Sequence, residues 1–381
     1  MNFDLTPEQQ ALQKSAIEFA RRELNADMVE RDLQQTFSQE GWKKCASFGV
    51  QGLPIPKEFG GSGSDPVTTI AVMEGLGYGC SDQGLLFSIN AHMWTNSIPI
   101  LKYGTAEQKE KYLRPLCDGT LIGANGVSEP ESGSDVFSMQ TRVTKESGHY
   151  VLNGSKTFVT NAPIADLFVV YGTLDPKLGA TGICGFIVEK GTPGFSVGKR
   201  IDKMGLRTAQ MGKLFFENCR IPATALLGRE GRGAEVFNCS MAWERACILA
   251  TCLGTMRRQL ERCLDHARKR KQFGQSIGKF QSIANRIVDM KLRYETARLL
   301  IYKVGWLMQQ NKSADIDAAM AKLYVSESFV KSCLDAVQIH GASGFLTEYE
   351  VERDLRDSIG STLYSGTSEI QRNIIARGLR I

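Results

Sequence analysis

Between Gly123 and Gly228 the sequence changes texture, and that change limits the fold more than any other feature. Short apolar runs are divided there by turn signals. Ser147-Gly148 precedes Tyr150-Val151-Leu152, Asn153-Gly154 precedes Thr157-Phe158-Val159-Thr160, and apolar runs at 167–171 and 183–188 follow. Asn-Gly between two such runs is a strong hairpin signal, so an antiparallel β domain is expected. On both sides the period is helical. Residues 6–121 read as helices, beginning with Thr6 as cap, Pro7 at the first helical position and Gln9 completing a capping box. Their clearest break is the glycine-rich segment 60–66. Further on, Ile283, Ile287, Met290, Tyr294, Ala297, Ile301, Val304 and Met308 step by threes and fours. Ile316, Met320, Leu323, Val330, Leu334 and Val337 do so again, which predicts two long amphipathic helices in a bundle. The expected architecture is mainly α with a β domain. A helical domain covers 1–121, a β domain 122–230 and a helical bundle 231–381.

A chain of 381 residues with 23% charged side chains suits a soluble protein of two or three domains. Residues 1–27 carry no basic segment followed by an apolar one, so no secretory signal is expected. The ten cysteines include no C-x-x-C pair, which favours reduced thiols in a cytoplasmic protein. His92, His149, His266 and His340 lie in no metal-ligand spacing, and no metal site is expected. The net charge of +5 is concentrated in Arg257, Arg258, Arg262, Arg268, Lys269, Arg270 and Lys271. Such a run is a solvated helix face or a surface for phosphates or an acidic partner; no nucleic-acid-binding module accompanies it.

Between Val236 and Met256 the only charges are Glu244 and Arg245. On a helix Phe237, Met241, Glu244, Cys247 and Ile248 share one face, while Arg245 points about 100° away. A membrane span is disfavoured, because each charge near mid-helix costs about 2.5–3.5 kcal/mol. Two readings of Glu244 stay open here. It is a structural carboxylate paired to a cation elsewhere, or an unpaired one whose apolar setting raises its pKa and suits it to proton abstraction. Gly126-Val127-Ser128-Glu129-Pro130-Glu131-Ser132-Gly133-Ser134-Asp135 is a glycine- and hydroxyl-rich turn able to offer N–H and O–H groups to an anion or a polar ring edge. Its composition suits an ordinary loop as well.

Residues 126–138 resemble the first signature of the acyl-CoA dehydrogenase family throughout. Gln338-Ile339-His340-Gly341-Ala342-Ser343-Gly344, with Glu348, Arg353 and Asp357, resembles the second, departing at Ala342 where Gly or Ser is usual. Arg270-Lys271-Gln272-Phe273-Gly274, Phe280-Gln281 and Gly366-Thr367-Ser368-Glu369-Ile370-Gln371-Arg372 extend the resemblance over essentially the whole chain. It implies an N-terminal helical domain, a middle antiparallel β domain and a C-terminal four-helix bundle, assembled as a homotetramer with FAD between domains and subunits. In the residues it implies, Val127 and Ser128 meet the pyrimidine edge of the flavin, and Phe158 and Thr160 flank its ring. Gly133 and Ser134 lie near phosphates or the substrate thioester. Arg270, Phe273, Gln281, Gln338 and Gly341 hold the pyrophosphate and adenosine of a neighbouring subunit's FAD, while Thr367 and Glu369 close the site.

Members of this family remove a proton next to a thioester carbonyl while a hydride leaves the adjacent carbon for the flavin. Most place the base, a Glu, immediately before the Gly-Thr pair; here that position is Ser365. The isovaleryl and long-chain subgroups instead carry a Glu directly before an Arg in the long helix, and Glu244-Arg245 matches that pair. The resemblance therefore implies Glu244 as the catalytic base. A narrower resemblance lies in Cys80-Ser81-Asp82-Gln83-Gly84-Leu85, Thr160-Asn161-Ala162-Pro163-Ile164-Ala165-Asp166, Met241-Ala242-Trp243-Glu244-Arg245-Ala246-Cys247 and Tyr364-Ser365-Gly366-Thr367-Ser368. These are similar to dehydrogenases that oxidise L-proline held as a thioester on an acyl or peptidyl carrier protein in natural-product biosynthesis. A pyrroline or pyrrole product and a carrier-protein partner are then expected, with the basic run from Arg257 as a docking face. An acyl-CoA dehydrogenase for a short or branched chain and a non-catalytic flavin-binding scaffold are the alternatives.

Overall fold

A computed structural model describes residues 4–381; the first three residues of the expected N-terminal domain lie outside the described residues. Seven helices come first: α1 (Pro7–Glu23), α2 (Met28–Gln34), α3 (Gln39–Phe48), α4 (Pro66–Gly79), α5 (Gln83–His92), α6 (Ile98–Tyr103) and α7 (Ala106–Cys117). The predicted capping box starts α1: Gln9 N donates to Thr6 Oγ1 at 3.2 Å, and Thr6 N donates to Gln9 Oε1 at 3.0 Å. A π-helical turn, Met93–Ser97, joins α5 to α6 and buries Trp94.

The middle region holds β1 (Gly123–Gly126), β2 (Arg142–Glu146), β3 (His149–Thr160), β4 (Leu167–Thr173), β5 (Ile183–Glu189), β6 (Phe195–Val197), β7 (Met211–Pro222) and β8 (Leu226–Leu227). They form one sheet in the order β6-β7-β3-β2-β4-β5-β8, with β1 also on β4. The pairing is antiparallel except at β4, where β1 and β2 pair in parallel. The sheet is thus antiparallel in most of its pairings, as expected, and the long connection from β1 to β4 allows the parallel ones.

The Asn153-Gly154 hairpin does not form. β3 runs straight through both residues, and Gly154 marks a bulge at φ +148°. A Cβ on Gly154 would lie 2.7 Å from Thr141 Oγ1, so glycine is required here by close approach rather than by a turn. The turn between β2 and β3 is at Gly148, φ +73°. A second register shift separates Lys156 from Val159, and Phe158 between them, at φ +56°, is turned outward and 65% exposed.

The remainder comprises α8 (Gly233–Cys247), α9 (Ala250–Lys269), a small hairpin of β9 (Lys271–Gln272) and β10 (Gln275–Ser276), α10 (Gln281–Gln309), α11 (Asp315–His340), α12 (Ala342–Phe345), α13 (Val351–Gly360) and α14 (Ser368–Leu379). The run around Glu244 is two helices, parted at Ile248 and Leu249, whose ψ of −7° leaves the helical region. Helices α8 to α11 pack as the bundle, and α4 lies against α9 and α10. On α10 the predicted stripe is buried at Met290, Tyr294, Ala297, Ile301 and Val304. On α11 it is not, since Ile316 and Leu334 are exposed. The buried face is instead Ala318, Ala321, Lys322, Val325, Phe329, Cys333 and Ala336. Helices α8, α9, α10, α13 and α14 press on α11 along with the adjoining α12, and small side chains allow that approach. No helix among the described residues is long and apolar enough to cross a membrane, and no cluster of metal-ligating groups is found among them.

Candidate active site

The glycine-rich turn after β1 is a built structure. Glu129 accepts from Gln140 N at 2.5 Å, Thr141 N at 2.9 Å and Lys156 Nζ at 2.7 Å, and Lys156 also donates to Val127 O at 3.1 Å. Thr157 N donates to Ser128 O at 2.8 Å. Lys156 is fully buried and Glu129 nearly so. Burial pushes the Glu129 carboxyl up, but the Lys156 ammonium and the amides pull harder and hold it below its usual range. Val127 and Ser128 are therefore fixed beside Lys156 and Thr157 of β3, while Gly133 and Ser134 stay exposed on the turn. A Cβ at Gly133 would meet nothing.

Glu244 sits opposite. Its side chain is 9% exposed, Oε1 accepts from Ser365 Oγ at 2.7 Å, and Oε2 is buried without a partner. Ser365 and Gly366 both have positive φ, +56° and +88°, and Gln371 Nε2 holds the turn by donating to Ser365 O at 3.1 Å and Gly366 O at 2.9 Å. Thr367 caps α14, accepting from Ile370 N at 3.3 Å, and Glu369 is exposed in its first turn. Burial pushes the Glu244 carboxyl up to about 7, against the opposing pull of the Ser365 hydroxyl, Arg245 and Lys322. Arg245, though directed away along the helix, thus still bears on Glu244. Aromatic rings line the surroundings: Trp94 stacks on Trp243 at 5.6 Å, Phe87 packs on Tyr364 at 4.7 Å, and Phe237 meets Phe137 and Tyr171 at 6.2 and 6.0 Å. Phe137 lies in the short 3-10 turn Val136–Ser138 just after the glycine-rich turn, so its contact with Phe237 links that segment to α8.

The remaining predicted residues lie elsewhere. Arg270 ends α9, Phe273 tips the β9–β10 hairpin, Gln281 opens α10, and Gln338 and Gly341 end α11. The stacking of His266 on His340 at 4.4 Å brings the ends of α9 and α11 together. Lys322, beside Glu244, and Gln338 are sixteen positions apart on α11, about 24 Å at 1.5 Å per residue. One chain therefore carries two separate groups of predicted residues. In the distal group Phe273 is 93% exposed, and Gly341, at φ +61°, has open space where a Cβ would stand.

The basic run is exposed at Arg268, Lys269, Arg270 and Lys271, while its first three arginines are partly engaged. Arg258 donates to Gly77 O at 2.8 Å and Cys80 O at 2.6 Å and pairs with Asp354 at 3.2 Å. Arg257 pairs with Glu261 at 3.0 Å and lies over the Tyr78 ring, and Arg262 donates to Tyr349 O at 2.6 Å. Arg258 and Arg262 thus tie α9 to neighbouring segments, while the Arg257 side chain stays 38% exposed. Lys322 and the Glu129–Lys156 pair escaped the sequence reading. The available signal for Lys322 was a lysine among Ala318, Ala319 and Ala321.

Family profiles for the N-terminal, middle and C-terminal domains of acyl-CoA dehydrogenase match residues 6–120, 124–219 and 231–380. The chain is 45% identical over 346 residues to an L-prolyl-[peptidyl-carrier protein] dehydrogenase of Pseudomonas fluorescens, covering 91% of each. Among solved structures it is similar to the prolyl acyl carrier protein oxidase AnaB, with a TM-score of 0.98, 49% identity, and coverage of 99% of this chain and 100% of that one. It is likewise similar to PigA with FAD and proline, with a TM-score of 0.98, 42% identity, and coverage of 100% and 99%. With the fold, both signature regions and full-length relatives in agreement, the chain belongs to the acyl-CoA dehydrogenase family.

Proposed function

We propose that this chain is an FAD-dependent dehydrogenase of L-proline held as a thioester on an acyl or peptidyl carrier protein, with Glu244 as its base. The observation that carries the reading is the 2.7 Å hydrogen bond from Ser365 to Glu244. The vacated family position and its replacement meet in space, one holding the other. The similarity to prolyl-carrier dehydrogenases and to PigA with FAD and proline supports the substrate and the cofactor.

The residues fit a flavin. An outward Phe158, the pinned backbone of Val127 and Ser128, Thr160, and the open turn at Gly133 and Ser134 would hold its ring and nearby groups. Arg270, Phe273, Gln281, Gln338 and Gly341, at the ends of α9, α10 and α11 and on the β9–β10 hairpin, would hold the distal half of a neighbour's FAD, with Thr367 and Glu369 closing the near site. FAD, when bound, accepts the hydride from the β-carbon. The chain's part is proton chemistry: Glu244 Oε2, which has no partner, takes the α-proton while Ser365 keeps Oε1 in place. Loss of proton and hydride together would leave a dehydroprolyl thioester, a pyrroline; a second round, after dioxygen or an electron carrier has reoxidised the flavin, would give a pyrrole.

Anaerobic mixing with prolyl-carrier protein is expected to bleach the flavin with loss of two hydrogens from the product, and turnover with dioxygen or an electron carrier present to show whether two or four are lost in all. Bleaching by butyryl- or isovaleryl-CoA but not by the carrier substrate would favour the acyl-CoA alternative, and bleaching by neither the scaffold.

The distal residues need a second subunit, and α10 offers a surface for one. Val288, Leu292, Leu299 and Trp306, spaced by four and seven, are 49–60% exposed along one face. A homotetramer built on this stripe predicts that Leu292→Glu with Leu299→Glu yields smaller species in sedimentation and releases FAD. Unchanged sedimentation would refute this assembly.

A further inference from the structure

Lys322 is a lysine with no accessible surface and no hydrogen-bond partner for its Nζ. Such a group is costly to bury and is retained only where an opposite charge or a ligand answers it. It lies on the buried face of α11, a helix that packs against α8, which carries Glu244; the two charges act on each other through space without an ion-pair contact. One turn further along, Ser326 O accepts from Ser361 Oγ at 3.5 Å, so the same face meets the segment leading into Ser365. Glu244 presents an equally buried and unpartnered Oε2 in this space, and Arg245 an unpartnered Nε.

We propose that Lys322 is a positioning residue for the base: its buried ammonium, close by but not in ion-pair contact, favours the ionised form of the Glu244 carboxylate in an otherwise apolar site. The proposal rests on the reading of Glu244 as base only for its catalytic consequence, not for the electrostatic coupling.

The other groups around the two side chains do not replace Lys322. Ser365 donates a neutral hydrogen bond to the far oxygen. Tyr171 and Tyr364 are buried phenols whose ionisation is suppressed by burial, so they carry no charge to offer. Arg245 is a cation but is shared with Asp315. Around Lys322 itself, Glu369 is exposed and solvent-screened, and the Cys252 thiol is neutral, pushed up to about 12 by burial. Burial and the Arg245 cation push the Lys322 ammonium down to about 8, and burial pushes Glu244 up to about 7, so the window in which both are mostly charged lies between these two values.

The test is an infrared pH titration of the FAD-loaded protein, reading the carboxyl stretch of Glu244 by difference from Glu244→Gln. Lys322→Met is expected to raise the Glu244 midpoint by about one unit or more, and Lys322→Arg to restore it. The acid limb of flavin bleaching should move by the same amount, with the alkaline plateau little changed, which a merely structural role would not produce. Lys322→Gln serves if the methionine variant does not fold. An unchanged midpoint in either folded neutral variant overturns the proposal. Because the titration needs no turnover, it fails or succeeds separately from the assignment of Glu244 as base.

Discussion

Replacing Glu244 by Gln is expected to leave the fold and bound FAD intact and to slow flavin bleaching by prolyl-carrier protein by about 10²–10⁴-fold, the usual range for a lost general base. The amide preserves shape and can still accept from Ser365, but its oxygen cannot take a proton. The wild-type rate should depend on pH in a defined direction. The base is the anion, and burial first, opposed by Ser365, Arg245 and Lys322, places its titration at about 7. Bleaching is therefore expected to rise through neutrality and to fall tenfold per unit below it. Stability runs the other way. A carboxyl raised from 4.5 to about 7 binds its proton more tightly in the folded state than in the unfolded one. The stabilisation it gives is complete below the unfolded value and is lost as pH rises through about 7, a difference on the order of 3 kcal/mol. Glu244→Gln, which has no charge to bury, should thus be more resistant to urea than wild type at alkaline pH and lose that advantage in acid. Normal turnover by this variant would show that the base lies elsewhere.

Much of the architecture was legible because periods of two and of three to four are written into the side-chain pattern itself. The failures share a cause, which is that distant backbone decided them. Asn153-Gly154 carries the composition of a hairpin turn, but Thr141 closes on Gly154 from a neighbouring segment and makes it a bulge. Hydropathy chose the bulky face of α11, whereas the neighbouring helices select its small face. Arg258 reads as surface charge until the carbonyls at the end of α4, some 180 positions away, are brought beside it. At the site, the absence of Glu at position 365 and its presence at 244 could be read from the chain. Their hydrogen bond, and the buried lysine behind them, depend on the packing of α8, α11 and the turn before α14.

The other large effect is expected at Lys156, far from any proton transfer. Lys156→Met removes the cation that answers Glu129, and stranding one member of a buried pair typically costs about 3–5 kcal/mol. The loss is not only electrostatic. Lys156 Nζ also fixes Val127 O at 3.1 Å, and the carboxylate it balances holds the Gln140 and Thr141 amides, so both ends of the glycine-rich turn lose their anchor. Urea unfolding should therefore shift markedly, and FAD binding, followed by flavin fluorescence, should weaken by on the order of tenfold or more. The double change Lys156→Met with Glu129→Gln distinguishes charge from shape. If the stranded anion dominates, neutralising it recovers a large part of the stability while FAD binding stays weak, since Val127 remains unanchored. If the double variant is no more stable than the single, the pair acts mainly by filling space, and the glycine-rich turn is held by its amide hydrogen bonds rather than by buried charge.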